Sequence, residues 1–379
     1  MDSYKNTIRE LLSYAKIHIN GDAPYEPKIH HPQFFKRVLR EGSLGLGEAY
    51  MDGWWDCDAL DEFFHRLLKA NLDKKVKGNF KLIWQAIKAK FINLQSKQHS
   101  KNVIVQHYNV GNELYQKMLD RNMMYSCGYW EETYDLEEAQ ENKLELICQK
   151  LKLTPGMKVL DIGCGWGGFA AYASSRYHVE VLGITLSEEQ ATLARERCEG
   201  LPVKIRLMDY RDVDGMFDRI VSIGMMEHVG TRNHKKYMEV VNKHLKDDGI
   251  TLLHTIGNNE SYQTTDPWIN KYIFPNSLIP SAAQLTKAME GFLLIEDWHS
   301  FGLHYDRTLM AWLKRFETSW SQFKDQYDER FYRMWKYYLS SCAGSFRARK
   351  NQLWQIVMVK ETFKGDYMAI RNLERKPTA

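Results

Sequence analysis

The sequence of 379 residues lacks several features that assign a chain to a simple class. No window approaches the ~18 uncharged apolar residues of a membrane-spanning helix. Residues 1–19 carry charges throughout and have no apolar core or cleavage site, so we predict no signal peptide. None of the six cysteines belongs to a C-x-x-C pair, which disfavours zinc and thioredoxin-like sites, and we predict no metal centre. Scattered cysteines of this kind are typical of a reducing, cytosolic compartment.

Strong charge of one sign is also missing. The net charge is only +4, which is too mild to predict a nucleic-acid partner. Hydrophobic residues make up 44% of the chain, enough for a sizeable core, and the length predicts one large domain or two unequal ones. Aromatic residues reach 13%, a content that suits an apolar pocket or an interfacial surface, although large cores also use it.

Acidic residues are absent between Lys74 and Asn112, while eight lysines fall between Lys74 and Lys101. Apolar residues recur there at steps of three and four and share one helical face: Phe80, Ile83, Trp84, Ile87, Phe91 and Leu94. The pattern predicts a basic amphipathic helix, which could bind an anionic membrane surface or pack on a domain. We predict a small, mainly helical N-terminal domain over residues 1–75 and a basic linker or helix over residues 76–105.

From residue 106 onward we predict a catalytic domain that extends to residue 379. Strand and helix patterns alternate there, which is typical of an α/β fold with a doubly wound sheet. An aromatic-rich insertion occupies about residues 262–345, and its long helical stretch, 308–338, is a candidate lid. The predicted strands are Lys158–Ile162, Val179–Ile184, Val203–Leu207, Arg219–Ile223, Ile250–Thr255, Phe292–Asp297 and Gln352–Val359.

A glycine-rich turn follows the first of these strands. Gly163, Gly165 and Gly168 satisfy G-x-G-x-x-G, which fits a dinucleotide site. They also fit the turn of S-adenosylmethionine-dependent methyltransferases, with Asp161 as the acidic residue before it. A tight turn without a ligand is the third possibility. A nicotinamide cofactor calls for an acid at the end of the second strand, and Gly183–Ser187 has none, which disfavours a dehydrogenase.

Several motifs in the same order resemble the cyclopropane-fatty-acid synthase family. They are the glycine turn, Tyr125–Trp130, Gly183–Gln190, Met226–Gly230 and Leu253–Gly257. Two further stretches, 42–55 and 266–275, resemble the members that act on bacterial phospholipids. The resemblance runs from about residue 5 to residue 360. It implies a Rossmann-like methyltransferase that moves a methyl group from S-adenosylmethionine to a cis double bond of a phospholipid acyl chain. A proton is then removed to close a cyclopropane ring.

The resemblance also implies site residues and partners. Contacts to S-adenosylmethionine are expected from Tyr125, Ser126, Gly163, Cys164, Gly165, Thr185, Leu186, Ser187, Glu188, Glu189, Gln190, Tyr210 and Arg211. A bicarbonate ion is expected as the base, held by Cys127, Glu227, His254, Ile256 and Tyr305. The family further implies a homodimer that associates peripherally with the inner face of the membrane from the cytoplasm.

Three points of the sequence leave room for other interpretations. Met226 stands where relatives have an aromatic residue, and Gly128 where many have alanine; both could change the shape of the pocket. Cys342 is a weak catalytic candidate and more readily a pocket or packing residue, since cation chemistry needs no thiol nucleophile. The alternatives are a methyltransferase that gives branched or hydroxylated chains and a lipid-binding protein without activity.

The membrane hypothesis makes the first testable prediction. Replacing Lys77, Lys81, Lys88 and Lys90 together by Gln removes four positive charges from the basic segment. Binding to anionic vesicles, measured by co-sedimentation, is expected to weaken, because each surface lysine contributes about 1 kcal/mol of attraction. Unchanged binding would count against this segment as the membrane contact.

Overall fold

The computed structural model describes residues 2–72 and 111–373, which form two compact units. The N-terminal unit contains residues 2–72, 264–276 and 309–351. The sheet unit contains residues 111–263, 277–308 and 352–373. The predicted basic helix and the predicted boundaries near residues 75 and 105 lie outside the described residues. The domain boundaries therefore stay a prediction.

The elements are numbered in chain order. The helices are α1 (Asp2–Ser13), α2 (Phe34–Glu41), α3 (Ser43–Met51), α4 (Leu60–Lys69), α5 (Asn112–Met118), α6 (Leu136–Lys150), α7 (Gly168–Tyr177), α8 (Glu188–Arg197), α9 (Met226–Val229), α10 (His234–His244), α11 (Pro267–Tyr272), α12 (Ala282–Met289), α13 (Leu303–Ser319) and α14 (Glu329–Arg347). The strands are β1 (Lys28–Ile29), β2 (Trp55–Asp56), β3 (Lys158–Ile162), β4 (Glu180–Thr185), β5 (Val203–Leu207), β6 (Phe217–Ile223), β7 (Leu245–Asn258), β8 (Leu294–Ser300) and β9 (Asn351–Val359).

The sheet unit is built on seven strands in the order β5-β4-β3-β6-β7-β9-β8. Strands β5, β4, β3, β6 and β7 pair in parallel, and β8 pairs with β9 antiparallel. Because the strand order reverses beside β3, the carboxyl ends of β3 and its neighbours form a crevice in which ligands of such sheets bind. The predicted doubly wound α/β fold is confirmed.

Side chains on the two faces of the sheet belong to two apolar clusters. Leu160 and Leu253 pack in the cluster that includes residues of α10 and α12. Val159 and Leu252 pack in the other, which includes residues of α6 and α7. Neighbouring residues point to opposite faces of a strand, so this division means that helices cover the sheet on both sides.

All seven predicted strands are present. Lys158–Ile162 and Val203–Leu207 match the structure at both ends, and the others differ by a few residues. The largest difference is in β7, which begins at Leu245 instead of Ile250, directly after α10. The predicted helical stretch 308–338 is also confirmed, since it lies largely within α13 and α14.

Prolines at both ends of Pro267–Pro280 predict a loop that interrupts the strand and helix pattern. This prediction is partly wrong, because the stretch begins with helix α11. Asp266 caps this helix: its Oδ1 accepts hydrogen bonds from the N–H groups of Trp268 and Ile269 at 2.9 and 3.1 Å. Pro267 at the first helical position fits the same signal, since a helix start needs no N–H there. An N-cap followed by proline outweighed the loop signal of the flanking prolines.

In the N-terminal unit, helices α3, α4 and α14 surround an aromatic core. The indole of Trp268 is fully buried and lies 4.4 Å from the ring of Tyr337, centroid to centroid. Its Nε1 donates to Sδ of Met51 at 3.3 Å. Gly47 packs directly beneath this indole, where even a Cβ atom would overlap it. Close helix packing therefore explains part of the glycine-rich stretch 42–55.

Within residues 2–72 and 111–373, no helix combines the length and the apolar character needed to cross a bilayer.

The packing of Gly47 leads to a stability prediction. Gly47→Ala should lower the free energy of unfolding by about 1–3 kcal/mol, because overpacking against a rigid buried indole outweighs the better helix propensity of alanine. Urea denaturation measures the change. Ser43→Ala, in the first turn of the same helix, is the matched control and should change stability little. A Gly47→Ala variant as stable as the control would contradict the packing described for Trp268.

Candidate active site

The glycine turn joins β3 to α7. Gly163 and Gly165 have φ angles of 81° and 53°, in the left-handed region that residues with a Cβ rarely adopt. A Cβ on Gly163 would lie 2.9 Å from Cγ of Met225, whereas a Cβ on Gly165 would have nothing within 4 Å. The turn is therefore packed against the protein at Gly163 and open at Gly165.

The backbone of this turn is only partly available to a ligand. The N–H groups of Gly163 and Cys164 both donate to the carbonyl oxygen of Ile184, at 3.0 Å each. The Cys164 thiol is buried in a small apolar cluster, and burial raises its pKa. A cofactor contact at residues 163–165 stays a prediction, and Gly165 is the residue of the three with the most open surroundings.

The end of β4 carries a side-chain network. Thr185 Oγ1 donates to Oε1 of Gln190 at 2.9 Å, and Oγ of Ser187 accepts the N–H of Gln190 at 3.2 Å, which caps α8. Since Thr185 occupies its carbonyl oxygen, Gln190 presents its amide nitrogen as the group that can donate to a ligand.

The remaining predicted cofactor contacts either follow β5 or lie near the start of α8. Tyr210 and Arg211 are in a short 3-10 helix after β5, and the Arg211 guanidinium binds both carboxylate oxygens of Asp209, at 2.7 and 2.6 Å. This pair holds Arg211 in place and leaves it less of its charge for a ligand. Near the start of α8 lie one half-buried and two exposed residues: Leu186, Glu188 and Glu189.

A series of aromatic contacts links Tyr125 to the glycine turn. The ring of Tyr125 lies 5.2 Å from that of Tyr115, which lies 5.1 Å from that of Trp166 in the turn. Ser126 is buried, and its Oγ accepts a hydrogen bond from Nζ of Lys143 at 2.9 Å.

Glu227 is the second residue of α9, four residues after β6 ends. Its Oε1 accepts the N–H of Ile256 at 2.7 Å, and its Oε2 is buried without a hydrogen-bond partner in the described structure. Burial raises the pKa of Glu227 to about 7. The carboxyl group therefore keeps its proton at slightly acidic pH, and Oε2 is the oxygen free to carry and donate it.

His254 lies in β7 opposite Ile223, the last residue of β6, and is fully buried. Its Nδ1 lies 3.3 Å from the amide nitrogen of Gln355. With that nitrogen as the donor, Nδ1 accepts and Nε2 carries the proton. That Nε2 is buried and has no hydrogen-bond partner among the described residues. Burial, together with the positive charges of Lys143 and Lys150, lowers the pKa of His254 far below its usual value, so the imidazole is neutral.

The backbone of Ile256 is already engaged on both sides. Its N–H donates to Glu227, and its carbonyl oxygen accepts the hydroxyl of Thr255 at 3.0 Å. Ile256 can therefore act on a bound anion through the carboxyl group that it holds.

Cys127 contacts Thr308, which lies on the same helix as Tyr305. Sγ of Cys127 lies 3.9 Å from Oγ1 of Thr308, which also accepts the N–H of Gly128 at 3.0 Å. Tyr305 is buried and lies one turn before Thr308 on α13. Burial raises the pKa of the Cys127 thiol far above its usual value, so it stays protonated.

Phe301 connects these two groups of residues. Its ring centroid lies 6.1 Å from that of His254 and 5.3 Å from that of Tyr129, two residues after Cys127. Five of the six predicted catalytic residues therefore belong to the sheet unit. A hydrogen bond joins Glu227 and Ile256 directly, and Cys127 contacts Thr308.

Cys342, the sixth candidate, belongs to the N-terminal unit, in α14. Burial raises the pKa of its thiol to about 12, so almost no thiolate is present at neutral pH. This environment disfavours a nucleophile and suits a packing residue.

The residues present fit the two expected ligands. An open turn at Gly165 and a donor amide on Gln190 suit the polar groups of S-adenosylmethionine. Two buried polar atoms without partners, Oε2 of Glu227 and Nε2 of His254, suit a small anion, because both can donate a proton. Among the described residues, no group of His, Cys, Asp or Glu side chains is arranged to hold a metal ion.

Both departures from the family pattern occur at packed positions. Met226 is fully buried in the core of the sheet unit. A Cβ on Gly128 would lie 3.2 Å from Cβ of Ala139, so alanine there would require a small shift of α6.

Sequence reasoning missed three side chains that support the site: Lys143, Thr308 and Gln355. Lys143 had a detectable signal, because it falls on the apolar face of α6 between Ala139 and Ile147, where a lysine is unexpected. The contacts of Thr308 and Gln355 join residues 181 and 101 positions apart, and no local pattern predicts them.

The raised pKa of Glu227 predicts a pH-dependent stability difference. Glu227→Gln keeps the hydrogen bond to Ile256 and removes the titration. Between about pH 4.5, the usual pKa, and pH 7 the wild type progressively loses stability, because its unfolded state releases the proton more readily. The variant should gain about 3 kcal/mol on the wild type over this range, at about 1.4 kcal/mol per pH unit. Chemical denaturation from pH 4.5 to 8 measures the gap; a constant gap would contradict a buried, protonated carboxyl.

Comparison with known proteins extends this geometry. A model of the mycolic acid cyclopropane synthetase family matches residues 95–356. The cyclopropane-fatty-acyl-phospholipid synthase of Escherichia coli (strain K12) is 53% identical over 364 residues, which cover 96% of this chain and 95% of that protein.

Two solved structures share the fold of the chain. The cyclopropane synthase MmaA2 from Mycobacterium tuberculosis is 30% identical, with a TM-score of 0.66 over 71% of this chain and 100% of that one. The mycolic acid cyclopropane synthase CmaA1, complexed with SAH and CTAB, is 30% identical, with a TM-score of 0.65 over 70% of this chain and 99% of that one. The chain therefore belongs to the cyclopropane synthase family, and it is an S-adenosylmethionine-dependent methyltransferase that converts double bonds of unsaturated acyl chains into cyclopropane rings.

Proposed function

We propose that the substrate is an unsaturated phospholipid and that a bicarbonate ion bound by Glu227 and His254 is the base that closes the ring. One observation carries the proposal: Oε2 of Glu227 and Nε2 of His254 are both buried, both able to donate a proton, and both without a partner in the described structure. Two unpaired buried donors are costly unless a ligand accepts their hydrogen bonds.

An ionised glutamate would repel a bound anion, whereas a protonated one does not. With its pKa raised to about 7, Glu227 holds a proton that it can donate to a bicarbonate oxygen, and Ile256 fixes the other carboxyl oxygen. His254 contributes a second donor because Gln355 keeps the proton on Nε2. Bicarbonate, when bound, supplies a base of moderate strength without adding a charged side chain to the pocket.

The protein must assist two steps of the reaction, the methyl transfer and the loss of a proton that follows it. An isolated double bond is a weak nucleophile, so the substrate must be held in line with the methyl group, and positioning carries much of the rate. S-adenosylmethionine supplies an electrophilic methyl group and leaves as the neutral thioether. The new carbon–carbon bond leaves a cation on the acyl chain, and loss of a proton from the added methyl group gives the ring.

Aromatic side chains suit the cationic stage. An aromatic face stabilises a cation by about 0.5–2 kcal/mol, and Tyr129, Phe301 and Tyr305 are buried in the sheet unit close to the predicted base site. Apolar surroundings also exclude water, which would otherwise trap the cation as an alcohol. No step needs a thiolate, which agrees with the raised pKa of the Cys127 thiol.

The proposed partners follow from the substrate. An acyl chain must leave the bilayer to reach a protein pocket, so we place the enzyme peripherally on the inner face of the membrane, in the cytoplasm. The lysine-rich segment 74–101 supports this location through its charge alone. The bacterial members of the family suggest that the protein forms a homodimer.

Incubation of the purified protein with S-adenosylmethionine and vesicles of a cis-unsaturated phospholipid tests the function. Mass spectrometry of the fatty acids should show chains heavier by one methylene, without the double bond and without a hydroxyl group. Removing bicarbonate under carbon dioxide-free conditions should lower the rate at least tenfold, and adding it back should restore the rate.

Two results would overturn parts of the proposal. A methylated chain that keeps a double bond or gains oxygen would exclude ring closure on this substrate and favour a different fate of the cation. A rate that is independent of bicarbonate would exclude the proposed base. Glu227→Gln is the matched variant. It keeps one donor and the hydrogen bond to Ile256, so the site should stay folded. The reaction rate of the variant should depend less on bicarbonate than the rate of the wild type.

A further inference from the structure

One face of α6 holds the segment 124–129, which carries three of the predicted site residues: Tyr125, Ser126 and Cys127. The amide nitrogen of Gln140 donates to the carbonyl oxygen of Ser126 at 2.8 Å, and the carbonyl oxygen of Ala139 accepts the N–H of Tyr129 at 2.8 Å. Lys143, one turn beyond Gln140, reaches the Ser126 hydroxyl at 2.9 Å. The same helix face therefore fixes both the backbone and the side chain of Ser126.

Lys143 is fully buried, which is rare for a lysine without a specific task. The groups that raise its pKa by their charge are Asp120, the Cys127 thiol and Asp161. Asp161 is the next-to-last residue of β3, just before the glycine turn, and Asp120 accepts the N–H groups of Asn122 and Met124. Burial lowers the pKa of Lys143 to about 8, so its amine is largely protonated at neutral pH and donates its hydrogen bonds.

We propose that Lys143 is a positioning residue for the cofactor. It fixes the Ser126 hydroxyl as a hydrogen-bond donor to the carboxylate in the amino-acid part of S-adenosylmethionine. An ammonium group can only donate, so Oγ of Ser126 accepts from Lys143 and its own proton must find another acceptor. The positive charge behind the hydroxyl strengthens that donor toward a carboxylate. The inference rests on the proposed cofactor role of Ser126.

The surroundings of Ser126 agree with this role. Its Cβ lies 3.9 Å from the position that a Cβ on Gly224, at the end of β6, would occupy. Gly168, at the start of α7, lies against the carbonyl oxygen of Asn122 and Sδ of Met124. Ser126 therefore lies beside the carboxyl end of β6, and its own segment contacts the helix that begins at the glycine turn.

The chain offers a matched control on the same helix. Lys150 is also fully buried, two turns after Lys143, but it contacts Asp297 at 3.5 Å and Nδ1 of His299 at 3.0 Å. Its substitution removes a buried ammonium group without touching Ser126.

Calorimetric titration with two ligands tests the proposal. S-adenosylhomocysteine carries the carboxylate, and 5′-methylthioadenosine lacks the amino-acid part. Lys143→Met and Ser126→Ala should each weaken S-adenosylhomocysteine binding roughly tenfold to a hundredfold, the effect of losing one hydrogen bond to a charged group. Binding of 5′-methylthioadenosine should stay within twofold of the wild type. The double variant should bind no more weakly than the weaker single variant, because both substitutions remove one interaction.

Each other outcome has a defined meaning. Equal losses for both ligands, or losses that multiply in the double variant, would overturn the positioning role, as would a Lys143→Met protein that binds like the Lys150→Met control. If Lys143→Met does not fold, Lys143→Gln keeps a neutral donor, and its expected result is a smaller selective loss for S-adenosylhomocysteine. A wild type that binds neither ligand would overturn the proposed cofactor site itself, which separates failure of that proposal from failure of this one.

Discussion

The site depends on one hydrogen bond, from the N–H of Ile256 to Oε1 of Glu227. It joins the helix after β6 to the end of β7 and holds a buried carboxyl group there. Burial then raises the pKa of this carboxyl group, because it disfavours the charged form. The same physical cause keeps His254 uncharged. The proposed bicarbonate site thus presents neutral hydrogen-bond donors instead of fixed charges.

Both buried lysines among the described residues of the sheet unit lie on α6. Lys143 and Lys150 are both fully buried, each near an aspartate, and both act on His254 by disfavouring its protonation. A buried ammonium group is costly, and it is retained most readily where it orients a neighbour. Helix α6 therefore contacts Ser126 through Lys143 and contributes the two positive charges that act on His254.

Local signals predicted the fold well. The bounds of β3 and β5 could be predicted to the residue, because β3 is a short, mainly apolar segment and β5 alternates apolar and charged residues, each bounded by turn signals. Helix α11 was missed because its Asp266 cap lies in a stretch rich in proline, where loop signals compete. The two units draw on distant parts of the chain, and no local pattern reveals which segments of the insertion pack with the first 72 residues.

The candidate site could be predicted only in part. The family motifs named Glu227 and His254, but the role that the structure supports for each depends on its protonation, which burial and remote partners set. Gln355 follows His254 by 101 residues, and it decides which imidazole nitrogen carries the proton. Lys143 was readable in principle as a lysine on an apolar helix face. Such properties emerge only when the chain is folded, because they belong to contacts between elements.

Infrared difference spectroscopy of the wild type against Glu227→Gln tests the central claim most directly. The subtraction isolates the single carboxyl group, even though burial also raises the pKa of Asp161 to about 7. The account predicts the carbonyl band of a protonated carboxylic acid at pH 6 that disappears as the pH rises to 8. A carboxylate signal already present at pH 6 would contradict it, because an ionised Glu227 could not donate a hydrogen bond to the base.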